Sequence, residues 1–428
     1  MNSLSVEDRI EKLASPGIKP GLSRVACLLN ELGNPQHTTR VIHVVGTNGK
    51  GSTAATIHNI LLKSGYSTAL YTSPHLVDFE ERLLLFGKKT LSAYWHEALD
   101  KIEGAIARNI KLKKSPPTFF ELTTVAAILI MSSQNVEVSV VEAGMGGRFD
   151  ATSILTNVVC SVICQIDLDH QQFLGNTLEK IAYEKFAVIR QGSLAIFYGQ
   201  ESLNKLFINI ANLHKTSSNI FTSEASITNV ICSLSSTQFS LTFKGLKKNY
   251  TTPLLGTFAS ENVAFAIYIA YCLIQYFPKI NQQFIYSGVS TVIWPGRFEI
   301  ISSYPLIILD GGHNPHAIQK LCTTLLKLCN TKITLVVAMM KDKNVKTSLL
   351  YLKLLDANFI ATEVPNNSRS MKASEIACIA REVGLTVIAN CSIPLDAIEM
   401  AKKLSNPIII LGSLFLVGYV KKMYQADY

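Results

Sequence analysis

The sequence lacks the features that would place it among disordered, fibrous or membrane-embedded chains. Only 17% of its 428 residues are charged and 48% are apolar, whereas disordered chains have too few apolar residues to build a core. Its longest apolar runs, at 263–274 and 407–420, fall short of the roughly 18–20 residues that cross a bilayer. No apolar stretch follows the start, as it would in a signal peptide. We therefore expect a cytoplasmic protein without membrane contacts.

The sequence also lacks CxxC motifs and a concentrated stretch of basic residues. The nine cysteines are odd in number, include no CxxC and lie mostly in apolar runs, which argues against a disulfide framework or a zinc knuckle. The formal net charge is +9, but the basic residues are scattered along the chain. A dedicated nucleic-acid binder would gather them on one face or tail. We expect no nucleic-acid partner, and we interpret the basic excess either as a mild attraction for anionic substrates or as a general bias of the proteome.

What is present is a repeated strand-turn-helix rhythm, which is typical of an α/β fold with a parallel sheet. Strands are predicted at 41–45, 67–71, 136–141 and 158–166, with helices at 52–64 and 123–132. Each of these strands is followed by polar or glycine-rich residues. Because ligands of open α/β sheets bind at the carboxyl ends of the strands, we expect candidate site residues to lie along one edge.

The predicted pattern of strands and helices changes twice after this first sheet. Residues 192–248 read as short β-like pieces and predict a small accessory sheet, and a helix is expected at 262–276. A break at 294–297 precedes a second series of strands at 306–309, 333–338 and 408–411, with a helix from Pro315. We predict two domains, 1–296 and 297–428, in line with the usual limit on the size of a single core.

The strongest chemical signal is the segment GTNGKGS at 46–52, between a predicted strand and a predicted helix. Glycines let backbone N–H groups face phosphate oxygens, and the helix N-terminus and Lys50 add positive potential. The segment differs from the eight-residue Walker pattern, because position 44 is valine and Gly51 separates Lys50 from Ser52. The alternative interpretation is a glycine-rich turn that only caps a helix.

Acidic and imidazole side chains follow the other predicted strands. Glu142 follows the third strand and Asp167, Asp169 and His170 follow the fourth, where a nucleotide's metal ion would need ligands. Taken alone, Glu142 could equally be an ordinary exposed carboxylate. Lys185 lies on a predicted helix and by residue type would be a solvated surface lysine. Three other histidines are expected to be structural: His43, His58 and His96.

A further strand-to-helix turn in the distal part contains Asp310 and His313, and Arg297 lies just before it. An arginine from a second domain can balance the charge of a phosphoryl transfer. An interdomain salt bridge is the alternative for Arg297.

Seven motifs together resemble the folylpolyglutamate synthase/dihydrofolate synthase family of the Mur ligase superfamily. They run in that family's order over nearly the whole chain: GTNGKGS at 46–52, TSPHL at 72–76 followed by ERL at 81–83, EAGMGGRFDAT at 142–152, DLDH at 167–170 with LGNTLEKIAYEK at 174–185, WPGRFE at 294–299, DGGHN at 310–314 and LGSLFLVG at 411–418. The sequence departs from the family's usual pattern at 256–259 and at 186–188.

The resemblance implies a Mur-ligase-like fold, with a P-loop parallel-sheet ATP-binding domain, an accessory small sheet and a smaller Rossmann-like C-terminal domain that ligates glutamate. It also implies an ATP-dependent ligase that adds L-glutamate to dihydropteroate, and to the γ-carboxyl of reduced folates, through an acyl phosphate. Two Mg²⁺ ions, a carbamylated Lys185 and a monomeric state belong to the same expectation.

The resemblance further assigns roles to residues, each by its place in a matching motif. The catalytic residues would be Lys50, Lys185, Arg297 and His313. The nucleotide would be bound by Gly49, Lys50, Gly51, Ser52, Asn262, Arg297 and Asp310. Magnesium would be held by Ser73, Glu142, His170 and Lys185. The pterin side would be formed by Leu28, Leu29, Phe120, Glu121, Leu122, Thr123, Phe149 and Asp150.

Three alternatives stay open. The first is an enzyme with only one of the two ligase activities. The second is a P-loop kinase or nucleotide switch, against which the second βα domain with DGGHN argues. The third is a noncatalytic binding protein, in which Lys50, Glu142, His170 and Lys185 would have no task.

Overall fold

The structure, a computed structural model, describes residues 4–329 and 331–426. Its first sheet has eight strands in the order β4-β3-β2-β5-β1-β6-β7-β8. The strands are β1 (Arg40–Val45), β2 (Thr68–Tyr71), β3 (Leu83–Leu85), β4 (Lys88–Lys89), β5 (Val138–Glu142), β6 (Val158–Ile163), β7 (Leu194–Phe197) and β8 (Ser217–Ile220). Strand β1 lies between β5 and β6 and is parallel to both. The chain segments that leave these three strands therefore start side by side.

Helices lie along this sheet and cover its apolar strands. They are α1 (Val6–Leu13), α2 (Ser23–Glu31), α3 (Lys50–Lys63), α4 (Ser92–Arg108), α5 (Ile110–Lys114), α6 (Phe119–Ser133), α7 (Gln171–Leu174), α8 (Leu178–Phe186), α9 (Glu201–Leu213) and α10 (Phe221–Glu224). Two buried clusters result, one built around α2, α4 and α6 and one built around α8 and α9. Short 3₁₀ turns occur at Pro35–His37, Phe79–Arg82 and Ala151–Ile154.

The prediction of an accessory sheet over 192–248 is correct only for the second half of that segment. Strands β9 (Ala225–Cys232), β10 (Thr237–Phe243) and β11 (Leu246–Thr252) form a separate three-stranded sheet. The first half instead supplies β7 and β8 to the edge of the eight-stranded sheet, with α9 between them. The buried residues Leu203, Phe207 and Ile210 recur at helical spacing along α9, which explains this difference.

The second large sheet has six strands in the order β12-β13-β17-β14-β15-β16. These are β12 (Glu299–Ser303), β13 (Leu306–Asp310), β14 (Ile333–Val337), β15 (Ala357–Thr362), β16 (Thr386–Cys391) and β17 (Ile408–Leu411). Only β12 pairs in the antiparallel sense. The remaining helices are α11 (Thr257–Leu273), α12 (Gln282–Ser290), α13 (Pro315–Leu328), α14 (Val345–Leu352), α15 (Ala373–Glu382), α16 (Pro394–Lys402) and α17 (Leu414–Ala426).

Contacts between Cα atoms divide the chain into two compact units. The first contains 1–226, 243–245 and 263–291, and the second contains 227–242, 246–262 and 292–428. The division falls within α11, which begins five residues earlier than the helix predicted at 262–276. In the described part of the chain, no helix combines the length and the apolar character that a membrane span requires.

Candidate active site

The loop after β1 is hydrogen-bonded to the segment after β6 and leads into an uncapped helix start. The N–H groups of Thr47 and Asn48 both donate to the carbonyl of Gln165, at 2.8 and 3.3 Å. Gly49 then begins α3 in the left-handed conformation, with φ of 82°, and its helix has no side-chain N-cap. The N–H groups of an uncapped first turn favour an anion. The phosphate-loop interpretation of 46–52 stays a prediction.

Close packing fixes the course of this loop. A Cβ at Gly46 would lie 2.7 Å from the Cβ of Cys164, so only glycine fits there. The hydroxyl of Thr47 accepts the N–H of Asp167 and donates to its carbonyl, each at 3.0 Å. The pairing of Gln165 with the loop also explains why β6 ends at Ile163 and not at the predicted Ile166. The loop after β1 and the segment after β6 are thus held together.

Lys50 occupies the first position of α3, and Gly51 and Ser52 follow it in the first turn. Its Nζ donates to the carbonyl of Thr47 at 3.3 Å, and the side chain is half-buried. The Ser52 side chain is buried at the same helix end. Four of the predicted phosphate-binding residues, 49–52, therefore lie on one continuous turn.

Glu142 is the last residue of β5, next to Val44 of β1. Its side chain is 5% exposed, and its Oε2 accepts the N–H of Ser73 at 3.4 Å. Ser73 follows β2, the other neighbour of β5. The structure therefore brings Ser73 and Glu142 together, and it excludes the interpretation of Glu142 as an ordinary exposed carboxylate.

Lys185 lies on the inner face of α8 and is 3% exposed. The expectation from residue type, that Lys185 is a solvated surface lysine, is therefore wrong. Its Nζ donates to the carbonyl of Gly46 at 2.7 Å. Burial, followed by the charge of Lys50, lowers the pKa of Lys185 to about 7. With such a pKa, a substantial fraction of this buried amine is unprotonated near pH 7, and the unprotonated amine is the nucleophile that carbamylation requires.

His170 caps α7 in the left-handed conformation, with φ of 50°. Its N–H donates to Oδ1 of Asp169 at 2.9 Å, and its Nε2 lies 3.9 Å from Oδ2 of the same residue. The negative charge of Asp169 also acts on the pKa of Lys185. Burial raises the pKa of the Cys164 thiol to about 12, and Lys50, Glu142 and Lys185 all act on this thiol electrostatically. The loops after β1, β5 and β6 therefore share one electrostatic environment.

Over 4–329 and 331–426, no three or more His, Cys, Asp or Glu side chains are arranged to hold a metal ion. The predicted magnesium set contains only two side chains of these types, Glu142 and His170. Its other members are a serine and a modified lysine. The set stays a prediction.

Asp150 organises the loop that follows β5. Its carboxylate accepts N–H bonds from Met145 at 2.8 Å and Thr152 at 3.0 Å, and a bond from the Thr152 hydroxyl at 2.5 Å. Burial raises the pKa of Asp150, and these hydrogen bonds oppose that shift. The buried His43 adds a 2.8 Å contact from Nε2 to the Thr152 hydroxyl. His43 is thus structural, and Phe149, at 53% exposed, projects from the loop.

The other residues predicted for the pterin side differ in what they offer a ligand. Leu28, Leu29, Leu122 and Thr123 have 0% exposure, so in this structure their side chains have no surface for a ligand. Glu121 is also buried, and both of its carboxylate oxygens are bound by Arg24, at 2.9 and 3.0 Å. Phe120 is half-buried and lies against Gly144, where a Cβ would be 2.7 Å from its ring. Phe120 and Phe149 are therefore the two members with apolar surface to offer.

Two residues of this unit received no role from the sequence. Gly147 lies against α8, because a Cβ there would be 2.7 Å from the Glu184 carbonyl oxygen. Arg82 is 7% exposed and donates from Nε to Nδ1 of His75 at 3.0 Å. Arg82 belongs to the ERL segment noted above, but only the three-dimensional contacts show that it is buried.

In the second unit, Asp310 is the last residue of β13, and its carboxylate binds both the turn before β12 and the turn after β13. Its carboxylate accepts N–H bonds from Phe298 at 2.9 Å and Gly312 at 2.7 Å. Burial raises the pKa of Asp310, and the nearby charge of Arg297 opposes that shift. The ring Nδ1 of His313 lies 2.9 Å from the Gly311 carbonyl, so Nδ1 carries a proton. Arg297, Asp310 and His313 thus lie on one turn assembly, and Asn262 is half-buried on α11.

Comparison with known proteins matches both parts of the chain. The Mur ligase middle domain matches residues 44–270, and the Mur ligase glutamate ligase domain matches 296–414. The chain is 30% identical over 418 residues to the dihydrofolate synthase/folylpolyglutamate synthase of Bacillus subtilis, which covers 95% of each chain.

Solved structures give the same relationship. The folylpolyglutamate synthase of Mycobacterium tuberculosis, in complex with ADP and AMPPCP, superimposes with a TM-score of 0.88 at 26% identity, covering 98% of this chain and 97% of that one. An Escherichia coli protein in complex with DHPP and ADP superimposes with a TM-score of 0.85 at 26% identity, covering 99% of both chains.

Proposed function

Because the chain belongs to the Mur ligase family, with folylpolyglutamate and dihydrofolate synthases among its full-length relatives, we propose that it is an ATP-dependent ligase that joins L-glutamate to a pterin carboxylic acid. The acceptors are dihydropteroate and reduced folates carrying a glutamate tail. One observation carries this proposal: the uncapped glycine turn with Lys50 follows the strand that pairs beside the buried Glu142, and its Gly46 carbonyl accepts a 2.7 Å hydrogen bond from the buried Lys185.

The reaction couples two bond exchanges. An oxygen of the substrate carboxylate attacks the γ-phosphorus of ATP, so that the β–γ P–O bond breaks and an acyl phosphate and ADP form. The amino group of L-glutamate, having lost a proton, then attacks the acyl carbon. Inorganic phosphate leaves and an amide forms. ATP is needed because a bare carboxylate has no adequate leaving group.

The phosphate turn supplies the nucleotide contacts in the first unit. The N–H groups of Gly49, Gly51 and Ser52 would bind the phosphate oxygens, and Lys50 would neutralise part of their charge. In the second unit, Asn262, Arg297 and Asp310 would contact the nucleotide. Its turn assembly is preorganised by the hydrogen bonds of the Asp310 carboxylate. His313, on the same turn, would act on the transferred phosphoryl group.

The donors near the phosphate turn fit Mg²⁺. Ser73 and Glu142 supply hard oxygen ligands and are already in contact. His170 would complete the set. Lys185 fits only as a carbamate, which the lowered pKa of its amine allows. Bound magnesium would neutralise phosphate charge.

Several finer features are part of the same proposal. The enzyme acts as a monomer in the cytoplasm. Its domains are 1–296, which holds ATP and the pterin, and 297–428, which serves glutamate ligation.

The decisive experiment is an ADP-release assay with ATP, magnesium and L-glutamate, comparing dihydropteroate with tetrahydrofolate as acceptors. ADP should form only when an acceptor is present, and the product should gain the mass of one glutamyl residue. Turnover of only one acceptor identifies a single-activity enzyme. Acceptor-independent phosphate transfer to a protein or a sugar would identify a kinase instead.

The modified lysine has its own test. With ¹³C-labelled bicarbonate, the wild-type protein should show a carbamate carbon resonance that the Lys185→Met variant lacks. Lys180→Met is the matched control, since Lys180 lies on the same helix and is exposed. A resonance that persists in Lys185→Met would assign the carbamate elsewhere.

A further inference from the structure

Arg82 is a buried cation that forms no direct ion pair with a carboxylate in the described part of the chain. It ends the 3₁₀ turn Phe79–Arg82 and is 7% exposed. Among residues 4–329 and 331–426, no Asp or Glu oxygen lies within ion-pair distance of its guanidinium. A buried charge without a partner is costly, so such groups are normally paired. Arg82 therefore points to an anion that the chain itself does not supply.

The protein contacts of Arg82 orient the guanidinium without neutralising it. Its Nε donates to Nδ1 of His75 at 3.0 Å. Because Nδ1 accepts, the ring proton is on Nε2, which lies 3.7 Å from a carboxylate oxygen of Glu7. Glu7, whose charge acts on Arg82, thus contacts the neutral imidazole that lies against Arg82 and forms no direct ion pair with the guanidinium. The guanidinium carbon also lies 5.4 and 5.3 Å from the ring centres of Phe79 and Phe119. These contacts hold the guanidinium plane in place and leave its terminal nitrogens for a ligand.

Arg82 is also tied to the edge of the sheet where Glu142 lies. Its carbonyl accepts the N–H of Thr72 at 2.9 Å. The next residue, Ser73, donates its N–H to Glu142. Arg82 is therefore one chain segment away from the predicted magnesium ligands.

Aromatic side chains continue from Arg82 toward the predicted pterin side. Phe79 and Phe119 meet edge to face, with ring centres 6.1 Å apart. The next residue, Phe120, lies with its ring centre 6.4 Å from that of Tyr71 and against Gly144. Phe119, which contacts Arg82, and Phe120, which has apolar surface to offer, are consecutive residues at the start of α6, so an aromatic acid that packs at this helix end would lie beside Arg82.

We propose that Arg82 binds the carboxylate of the pterin acid substrate. This inference rests on the proposed function and names the residue that selects an acid as the acceptor. The planar guanidinium matches a carboxylate better than an ammonium does, because two N–H groups can bind one carboxylate. His75 and the two phenylalanines act as positioning residues, since they orient the guanidinium.

The test is a binding comparison between two proteins and two ligands, without ATP. Isothermal titration would measure dihydropteroate and its primary carboxamide against the wild-type protein and Arg82→Met. We expect the wild type to prefer the acid by about 10- to 100-fold, the range for a charged hydrogen-bonded contact. Arg82→Met should bind both ligands with equal affinity. Its carboxamide affinity should stay within about twofold of the wild type, which shows that the site is intact. An unchanged preference for the acid in Arg82→Met would overturn the inference.

A second variant decides the question if Arg82→Met does not fold. Arg82→Lys keeps the charge but loses the planar pair of donors. It should lower the preference for the acid by at least about threefold while leaving carboxamide binding unchanged. An unchanged preference in that variant would contradict the proposal.

Arg40→Met is the matched control. The guanidinium of Arg40 also lies over a ring, 4.6 Å from the centre of Phe277, and it donates to the Tyr276 carbonyl at 3.3 Å. Its loss should leave the preference for the acid unchanged, and an equal drop in both variants would refute a specific role for Arg82. If the wild type forms the glutamyl product but Arg82→Met keeps the wild-type preference for the acid over the carboxamide, only this inference fails. If the wild type neither binds dihydropteroate nor turns over, the proposed function fails.

Discussion

Replacing Gly147 by alanine tests how closely the loop after β5 packs on the helix that holds Lys185. A Cβ at position 147 would lie 2.7 Å from the Glu184 carbonyl oxygen, 2.9 Å from Cγ1 of Val188 and 3.1 Å from the Lys185 carbonyl oxygen. Two of these atoms belong to the backbone of α8 and have no rotamer to change. Either the helix or the loop must therefore move. We expect a loss of about 1–3 kcal/mol in the free energy of unfolding, the usual cost of overpacking.

The same displacement should reach the reaction, because the helix backbone that moves includes Lys185. Urea denaturation followed by circular dichroism would report stability, and ADP release would report turnover. Gly104→Ala is the control: this residue lies inside α4, and its nearest neighbour is the flexible guanidinium of Arg108 at 3.2 Å. That variant should gain about 0.5–1 kcal/mol, since glycine weakens a helix interior. If Gly147→Ala matched the wild type in both stability and turnover, the packing argument would be wrong.

Three further predictions concern charged groups. Lys50→Ala should lower turnover at least ~100-fold with little change in the urea midpoint, whereas Lys63→Ala, on the exposed end of the same helix, should leave turnover unchanged. In buffer free of carbon dioxide, the wild type should gain stability from about pH 7 to 10.5 relative to Lys185→Met. Burial lowers the pKa of this amine from 10.5 to about 7, so over that range the unfolded chain binds the extra proton. If the difference in urea midpoint between the wild type and Lys185→Met were the same at pH 7 and at pH 9, the prediction would be contradicted. Asp310→Asn should cost about 1–3 kcal/mol, because one of two buried N–H groups loses its acceptor. Asp342→Asn should cost less than about 1 kcal/mol, because its partner Arg369 is largely exposed, and a larger loss at Asp342 than at Asp310 in urea denaturation would reverse the argument.

The central strands could be predicted because buried parallel strands are short, nearly continuous apolar runs. The strand predicted at 408–411 coincides with β17, and that at 41–45 differs from β1 by one residue. Strand β8 could not be found this way. Its residues Ser217–Ile220 are mostly polar and only its last residue is buried, so its place at the sheet edge depends on pairing with β7.

The glycine turn between β1 and α3 could be predicted because its pattern is local and lies in seven consecutive residues; its binding of phosphate stays a prediction. The environment of Lys185 could not, since the carbonyl it binds belongs to Gly46, 139 residues away in sequence. Arg82 was missed for a similar reason. An arginine within a polar segment gives no local sign that Phe79 and Phe119 enclose it.

Together with the proposed carbamylation of Lys185, the hydrogen bond from Lys185 to Gly46 would make the carbon dioxide dissolved in the buffer an experimental variable. The proposed conversion of the amine to a carbamate would leave one N–H on that nitrogen and add a negative charge near Lys50, while the oxygen of Gly46 lies at the start of the turn proposed to bind the nucleotide. The two proposed binding events, of CO₂ and of ATP, would therefore share a single backbone oxygen. By thermodynamic reciprocity, the factor by which ATP would change the uptake of CO₂ equals the factor by which CO₂ would change the affinity for ATP. Under this proposal, affinities measured in degassed and in bicarbonate-equilibrated samples would describe two different states of the protein.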